Sequence, residues 1–340
     1  MKKNLTYLFL VLLLFPACRK DKYPADDVSI SGFVAGVETM TTRAGGPEKT
    51  KFEAGDKIYV YAYSSASAGA GKARFMPETD GITGATYVFN GNVSAGFRFD
   101  RQQSGIDNRM GLWRGGLYHD FTAYHMEPKY AGTKIPFVMN APEGLSANEL
   151  LWGRSNNSDI YFSGDIHIIP QITFRHQLSR IQVRVIHDIE DITAENFVLK
   201  GLEFTLNKTE ATFDTETGQW EGTVPGDITL SKALDKDLSE ITRLDTLTVA
   251  EWWVLPDAEV IRNSNNKHLK LSLERSGALE EPEIDFSHFF DPDAPVETKP
   301  GYITVLQLEF GDVRSIVFTV SLEPWIREGH ELDITDKYKK

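Results

Sequence analysis

Cysteine is almost absent. The 340 residues contain one, Cys18, so no disulfide within the chain can staple the fold, and its stability must come from a hydrophobic core. Positive charge is scarce as well. Lys and Arg number 36 against 49 Asp and Glu, a formal net charge of −13, which leaves out the basic footprint that nucleic-acid binding requires. The apolar run Leu5 to Phe15 is too short for a stable membrane-spanning helix. No long segment carries a convincing 3.6-residue apolar period, and no Gly-Lys-Ser/Thr loop, Gly-x-Ser-x-Gly elbow or His-Glu-x-x-His helix occurs. The expectation is a non-enzymatic protein without cofactor or metal.

What is present begins with MKKNLTYLFLVLLLFPAC. Lys2 and Lys3, an apolar stretch, then Pro16 and Ala17 make the charged, greasy, small-residue order of a secretion signal. A small residue directly before cysteine is where bacterial lipoprotein processing cleaves, with Phe15 standing where leucine is usual. Residues 1–17 are thus read as a lipoprotein signal peptide and Cys18 as the lipid attachment point. The alternative is an ordinary secretory signal with a chance cysteine. Acyl chains on Cys18 hold a protein at the outer membrane because each buried methylene contributes about 0.8 kcal/mol, and stable anchoring needs more than one chain. Residues 18–27, charged and containing Pro24, read as a tether.

Beyond the leader, alternation of period two dominates: KIYVYAY (57–63), RIQVRV (180–185), LEFTLN (202–207), LKLSLE (269–274), ITVLQLEF (303–310) and IVFTVSL (316–322). Such runs read as strands, and Gly- and Asn-rich pieces such as SSASAGAGKA (64–73) and NSNN (263–266) read as turns. Short helices are predicted around Asn148–Trp152 and over Lys232–Leu244, where Leu234, Leu238 and Ile241 share a helical face. Many short strands with turn punctuation predict an all-β fold of sandwich type. Length favours two domains, divided near Pro170 into 28–170 and 171–340.

Seven fragments, in order, carry a resemblance: VSISGFVAGVETMTTRAGG (28–46), KFEAGDKIYVYAY (51–63), DFTAYHMEP (120–128), ELLWGRS (149–155), ITFRHQLSRIQVRV (172–185), PGYITVLQLEF (300–310) and EPWIREG (323–329). Together they resemble the fimbrillin family of Bacteroidales surface fimbriae, the type V pili. That resemblance implies two transthyretin-like β-sandwich domains in tandem, lipoprotein export to the cell surface and assembly with other fimbrial subunits by strand exchange. It implies proteolytic maturation between Arg43 and Ala44, in a Gly-rich loop of the kind proteases prefer, which would release the first strand, 28–37, with its lipid. It also implies a C-terminal donor strand, here 329–340, with Leu332 and Ile334 as candidate anchors and Tyr338 as a further one. Asp245-Thr246-Leu247 resembles the short acceptor of protein O-glycosylation in this bacterial group, making Thr246 a candidate modification site. Shaft, tip and anchor roles remain open, as does contact with a host or bacterial surface receptor.

Other residues carry chemistry-bearing side chains. His176, between Phe174 and Leu178 on one strand face, reads as a core or interface histidine rather than a ligand. Asp165–His167, the acidic run 188–195 and the pair Asp291 and Asp293 lack metal-site spacing. Trp113, Tyr118, Phe121, Tyr124, Trp152, Trp252 and Trp253 read chiefly as core. An exposed subset of them would suit the rival function, a surface glycan-binding lipoprotein of a polysaccharide-uptake system.

Overall fold

The computed structural model describes residues 32–37, 51–76, 84–92, 96–100, 116–146, 149–162, 169–190, 192, 197–261, 268–285, 296–311 and 316–324. Strands dominate. The first ten are β1 (Gly32–Val37), β2 (Lys57–Ser65), β3 (Ala73–Met76), β4 (Ala85–Phe89), β5 (Phe97–Phe99), β6 (Leu117–His125), β7 (Lys134–Val138), β8 (Leu151–Ser155), β9 (Ile160–Phe162) and β10 (Gln171–His176). They are followed by β11 (Ser179–Asp188), β12 (Phe197–Asp214), β13 (Gln219–Asp237), β14 (Leu247–Val254), β15 (Glu259–Ile261) and β16 (His268–Arg275). The last are β17 (Ala278–Glu280), β18 (Glu283–Asp285), β19 (Val296–Glu297), β20 (Tyr302–Gly311) and β21 (Ile316–Pro324). Each of the six alternating segments quoted above lies within one of these strands. No helix among the described residues is long and apolar enough to cross a membrane.

A nine-stranded sheet runs in the order β3-β2-β4-β5-β1-β10-β8-β6-β9. Pairing of β2 with β6 closes it on itself, as in a barrel. Its interior is strongly aromatic: Phe33, Phe52, Tyr87, Phe97, Phe121 and Phe174 are all buried there. A four-stranded sheet, β14-β11-β20-β21, and a sheet built along β13-β12-β16-β17 contribute a second core. Strand β7, although early in the chain, pairs with β12 in that second group.

Strand β2 shows how the two cores meet. Ile58, Val60 and Ala62 point into the first core, while Tyr59 and Tyr61 belong to the second and Tyr63 packs against it. Successive side chains alternate faces, so this strand is covered on both. On β10, Ile172 and Phe174 belong to the first core, and the second begins at Leu178.

The predicted helices are strands. Leu151 and Trp152 open β8, paired with both β10 and β6. Lys232–Asp237 continues β13 along β12; Leu238–Glu240 is a 3-10 turn whose Asp237 side chain accepts from the Ser239 amide at 2.8 Å, and a second turn follows at Arg243 and Leu244. The reason is upstream. Ile228 and Leu230 already bury one face at a spacing of two, and pairing with β12 resumes after a register shift, so that Lys236 and Asp237 still lie opposite Leu199 and Val198.

Burial shapes the titration of this core. Tyr59 and Tyr63 have their phenols pushed up to about 12, chiefly by desolvation, and Tyr61 and Tyr87 are raised further for the same first reason. Unfolded tyrosine ionises near 10, so above that pH the unfolded chain holds fewer protons and stability falls as pH rises. Lys129 acts oppositely. Its amine is lowered to about 8 by burial, contributing a rise in stability between about pH 8 and 10.4, the ordinary lysine value. Denaturant midpoints measured from pH 8 to 12 should therefore turn over near pH 10, and absorbance at 295 nm should show these tyrosines ionising only as the chain unfolds.

Candidate functional site

Strand β1 lies inside the nine-stranded sheet, not at its edge. It pairs antiparallel with β5, Gly32 opposite Arg98 and Phe33 opposite Phe97. On its other side it pairs parallel with β10, from Val34 opposite Gln171 to Val37 opposite Phe174. The Val34 amide donates to the Pro170 carbonyl at 3.0 Å. Removing such a strand exposes two rows of backbone donors and acceptors, a ready template for an incoming strand.

The side chains of β1 divide by face. Phe33 is 0% exposed and meets Tyr87 and Phe121 edge-on, at centroid distances of 4.8 and 5.1 Å. Ala35 is partly buried against the same core, whereas Val34, on the alternate face, is half-buried. Burial of a phenylalanine contributes about 1.5–3 kcal/mol, and each edge-on aromatic contact about 0.5–1.5 kcal/mol more. Gly96 completes the seat. A Cβ there would stand 2.1 Å from the Phe33 carbonyl oxygen, and its φ of +61° suits glycine. The alternation in VSISGFVAGV (28–37) sets Phe33 and Ala35 on one face; no local pattern links Tyr87, Phe121 and Gly96 to β1.

The nine-stranded sheet that holds β1 is braced from the other half of the chain. Thr215, just after β12, is fully buried and donates its hydroxyl to the Thr133 carbonyl at 2.8 Å. With that proton committed, Tyr61 is the donor in the 2.8 Å bond between its hydroxyl and Thr215 Oγ1. Trp152 Nε1 of β8 donates to the Thr215 carbonyl at 2.9 Å, and Arg74 of β3 pairs with Glu216. Gly218 lies under the Trp152 ring, where a Cβ would come within 2.5 Å. Thr215→Val keeps the shape and strands the Tyr61 hydroxyl, so a loss of about 1–3 kcal/mol in urea unfolding is expected.

Cys18, Arg43, Ala44, Leu332 and Ile334 lie outside the described residues, as do residues 28–31, Asp165, His167, Asp291, Asp293, Trp113 and Tyr338. Thr246 is exposed, immediately before β14. His176 is buried with Nδ1 3.0 Å from Glu149 Oε1. In the acidic run, Asp188 and Glu190 face Arg243 at 2.6 and 3.7 Å. Among the described residues no group of three or more His, Cys, Asp or Glu is arranged to hold a metal ion. Phe121, Tyr124 and Trp252 are buried, and Trp152 and Trp253 pack against the second core. Tyr118 meets Tyr161 at 5.0 Å, and Tyr161 is 47% exposed.

A family model for fimbrillin-like proteins matches residues 42–325. The chain belongs to the fimbrillin-like family. Membership of that family implies a cell-surface, fimbrial location. Solved structures similar to this fimbrillin-like chain include a candidate cell adhesion protein from Bacteroides ovatus. It is 14% identical, with 87% of this chain and 97% of that one covered and a TM-score of 0.49. A candidate cell adhesion protein from Bacteroides uniformis is 16% identical, with coverages of 87% and 98% and a TM-score of 0.45. The fimbrial anchor protein Mfa2 from Porphyromonas gingivalis is 10% identical, with coverages of 87% and 98% and a TM-score of 0.32. No curated protein matches the sequence.

Proposed function

We propose that this fimbrillin-like chain is a structural or accessory component of an outer-membrane fimbria, joined to other fimbrial subunits by β-strand complementation. Residues 28–170 and 171–340 are the two transthyretin-like domains of this reading; two cores are present, and each draws side chains from both sides of residue 170. The leader 1–17 is removed, Cys18 carries lipid, and cleavage between Arg43 and Ala44 frees β1. A strand from another subunit then refills the slot, while residues 329–340, through Leu332 and Ile334, serve as the strand donated onward.

The observation that carries this reading is the position of β1. It contributes a fully buried aromatic and two backbone ladders, yet it is joined to the rest of the chain on one side only by the segment containing Arg43. Among the described residues, Trp152, Trp252 and Trp253 all make core contacts, so these three give the rival glycan-binding role no support.

The test is limited proteolysis of the folded chain with an arginine-specific protease. New N-termini are read by mass spectrometry and assembly by size exclusion. Cleavage before Ala44, loss of the preceding segment and the appearance of larger species together with partner subunits are expected. A chain that resists at Arg43, or that is cut there and neither loses β1 nor binds another subunit, removes strand complementation as its mode of assembly.

A further inference from the structure

The slot of β1 also states what its next occupant must look like, given the strand-complementation reading above. Inside it, one position is a closed aromatic seat: Phe33 is fully buried between Tyr87 and Phe121, opposite Phe97. Two residues on, the same face holds only Ala35, partly buried against the same core. A close-packed interior tolerates no void at the first position, and at the second, partly buried against the same core, a charged side chain loses part of its hydration.

We infer that this slot selects a strand from a different kind of subunit, one with an aromatic residue followed two positions later by a small one, and rejects this chain's own segment 329–340. In GHELDITDKYKK the aromatic candidate is Tyr338. Two positions away stand Asp336 on one side and Lys340 on the other, so in either direction a charge falls where Ala35 sits. Leu332 and Ile334 are spaced two apart, which sets a branched aliphatic side chain at both inward positions, without an aromatic for the seat. Burial of a charge or an unpaired hydroxyl in this setting is costly. Copies of this chain therefore do not link head to tail through this slot, and its partner is heterologous.

The experiment uses the full chain cut after Arg43, or, as a second variant, cut at a sequence-specific protease site inserted between residues 43 and 46. Fluorescent peptides are then offered: VSISGFVAGV, its Phe33→Ala and Phe33→Leu forms, its Ala35→Leu form, and GHELDITDKYKK. The unchanged peptide is expected to bind. The Phe33→Ala peptide is expected to bind about a hundredfold more weakly or worse, the Phe33→Leu and Ala35→Leu peptides more weakly than the unchanged one, and GHELDITDKYKK not to compete. Equal binding of the Phe33→Ala and unchanged peptides, or tight binding of GHELDITDKYKK, overturns the selectivity while leaving strand complementation intact. Binding of none of them by the cut chain, even the unchanged strand, overturns both.

Discussion

Phe33→Ala in the intact chain is expected to lower the unfolding free energy by about 3–5 kcal/mol, the range for emptying a buried aromatic site. Native domains typically hold about 5–15 kcal/mol in total, so this one change consumes a large share. The loss combines transfer of the ring, its two edge-on contacts and the void left between Tyr87 and Phe121. Phe52 packs against both Phe97 and Phe174 in the same core, which limits collapse of the surrounding core. Val34→Ala, on the half-buried face, is expected to cost about 1 kcal/mol or less. Equilibrium urea unfolding of both variants checks the contrast. Similar costs at the two positions would mean that β1 is not held through the Phe33 face.

Gly153→Ala is expected to be nearly as damaging, at about 3 kcal/mol, because it overfills a site with no room to yield. The added Cβ would fall 2.4 Å from the Thr173 carbonyl oxygen and 2.8 Å from Ile172 Cγ2. Thr173 cannot simply retreat. It is paired with Arg154 of β8 on one side and Gly36 of β1 on the other, so a shift of β10 loosens the β1 ladder as well. Melting temperature and release of the segment before Ala44 after protease treatment are the two readouts. A lower melting temperature with unchanged retention of β1 would show that β8 and β10 separate without disturbing the slot.

Much of the strand content was legible because alternation is local. KIYVYAY, RIQVRV and ITVLQLEF each carry their period in a few residues, and each became a strand. Alternation does not reveal what covers the second face. In β2 the odd positions are tyrosines, amphipathic enough to read as a wetted surface, yet Tyr59 and Tyr61 are buried in the second core. The segment at 232–244 misled for a related reason. Leu234, Leu238 and Ile241 do fall at helical spacing, but a partner strand already paired with the preceding residues decided the outcome. The slot was half legible. Its occupant could be read from 28–37, while its wall is assembled from β4, β5, β6 and β10, contributions that non-local pairing alone brings together. Cys18, Arg43, Ala44, Leu332 and Ile334 rest on the leader and the family resemblance, beyond the described residues.

The double pairing of β1 also bears on mechanical load. Tension applied along that strand lies across both ladders, since interstrand bonds run at a steep angle to the strand axis. The bonds to β5 and β10 then share the force and must yield together, whereas a strand peeled sideways from a single partner opens one bond at a time. Rupture under force follows the rate of crossing that barrier, not the equilibrium constant. A strand seated as β1 is seated resists being pulled lengthwise far better than being lifted out.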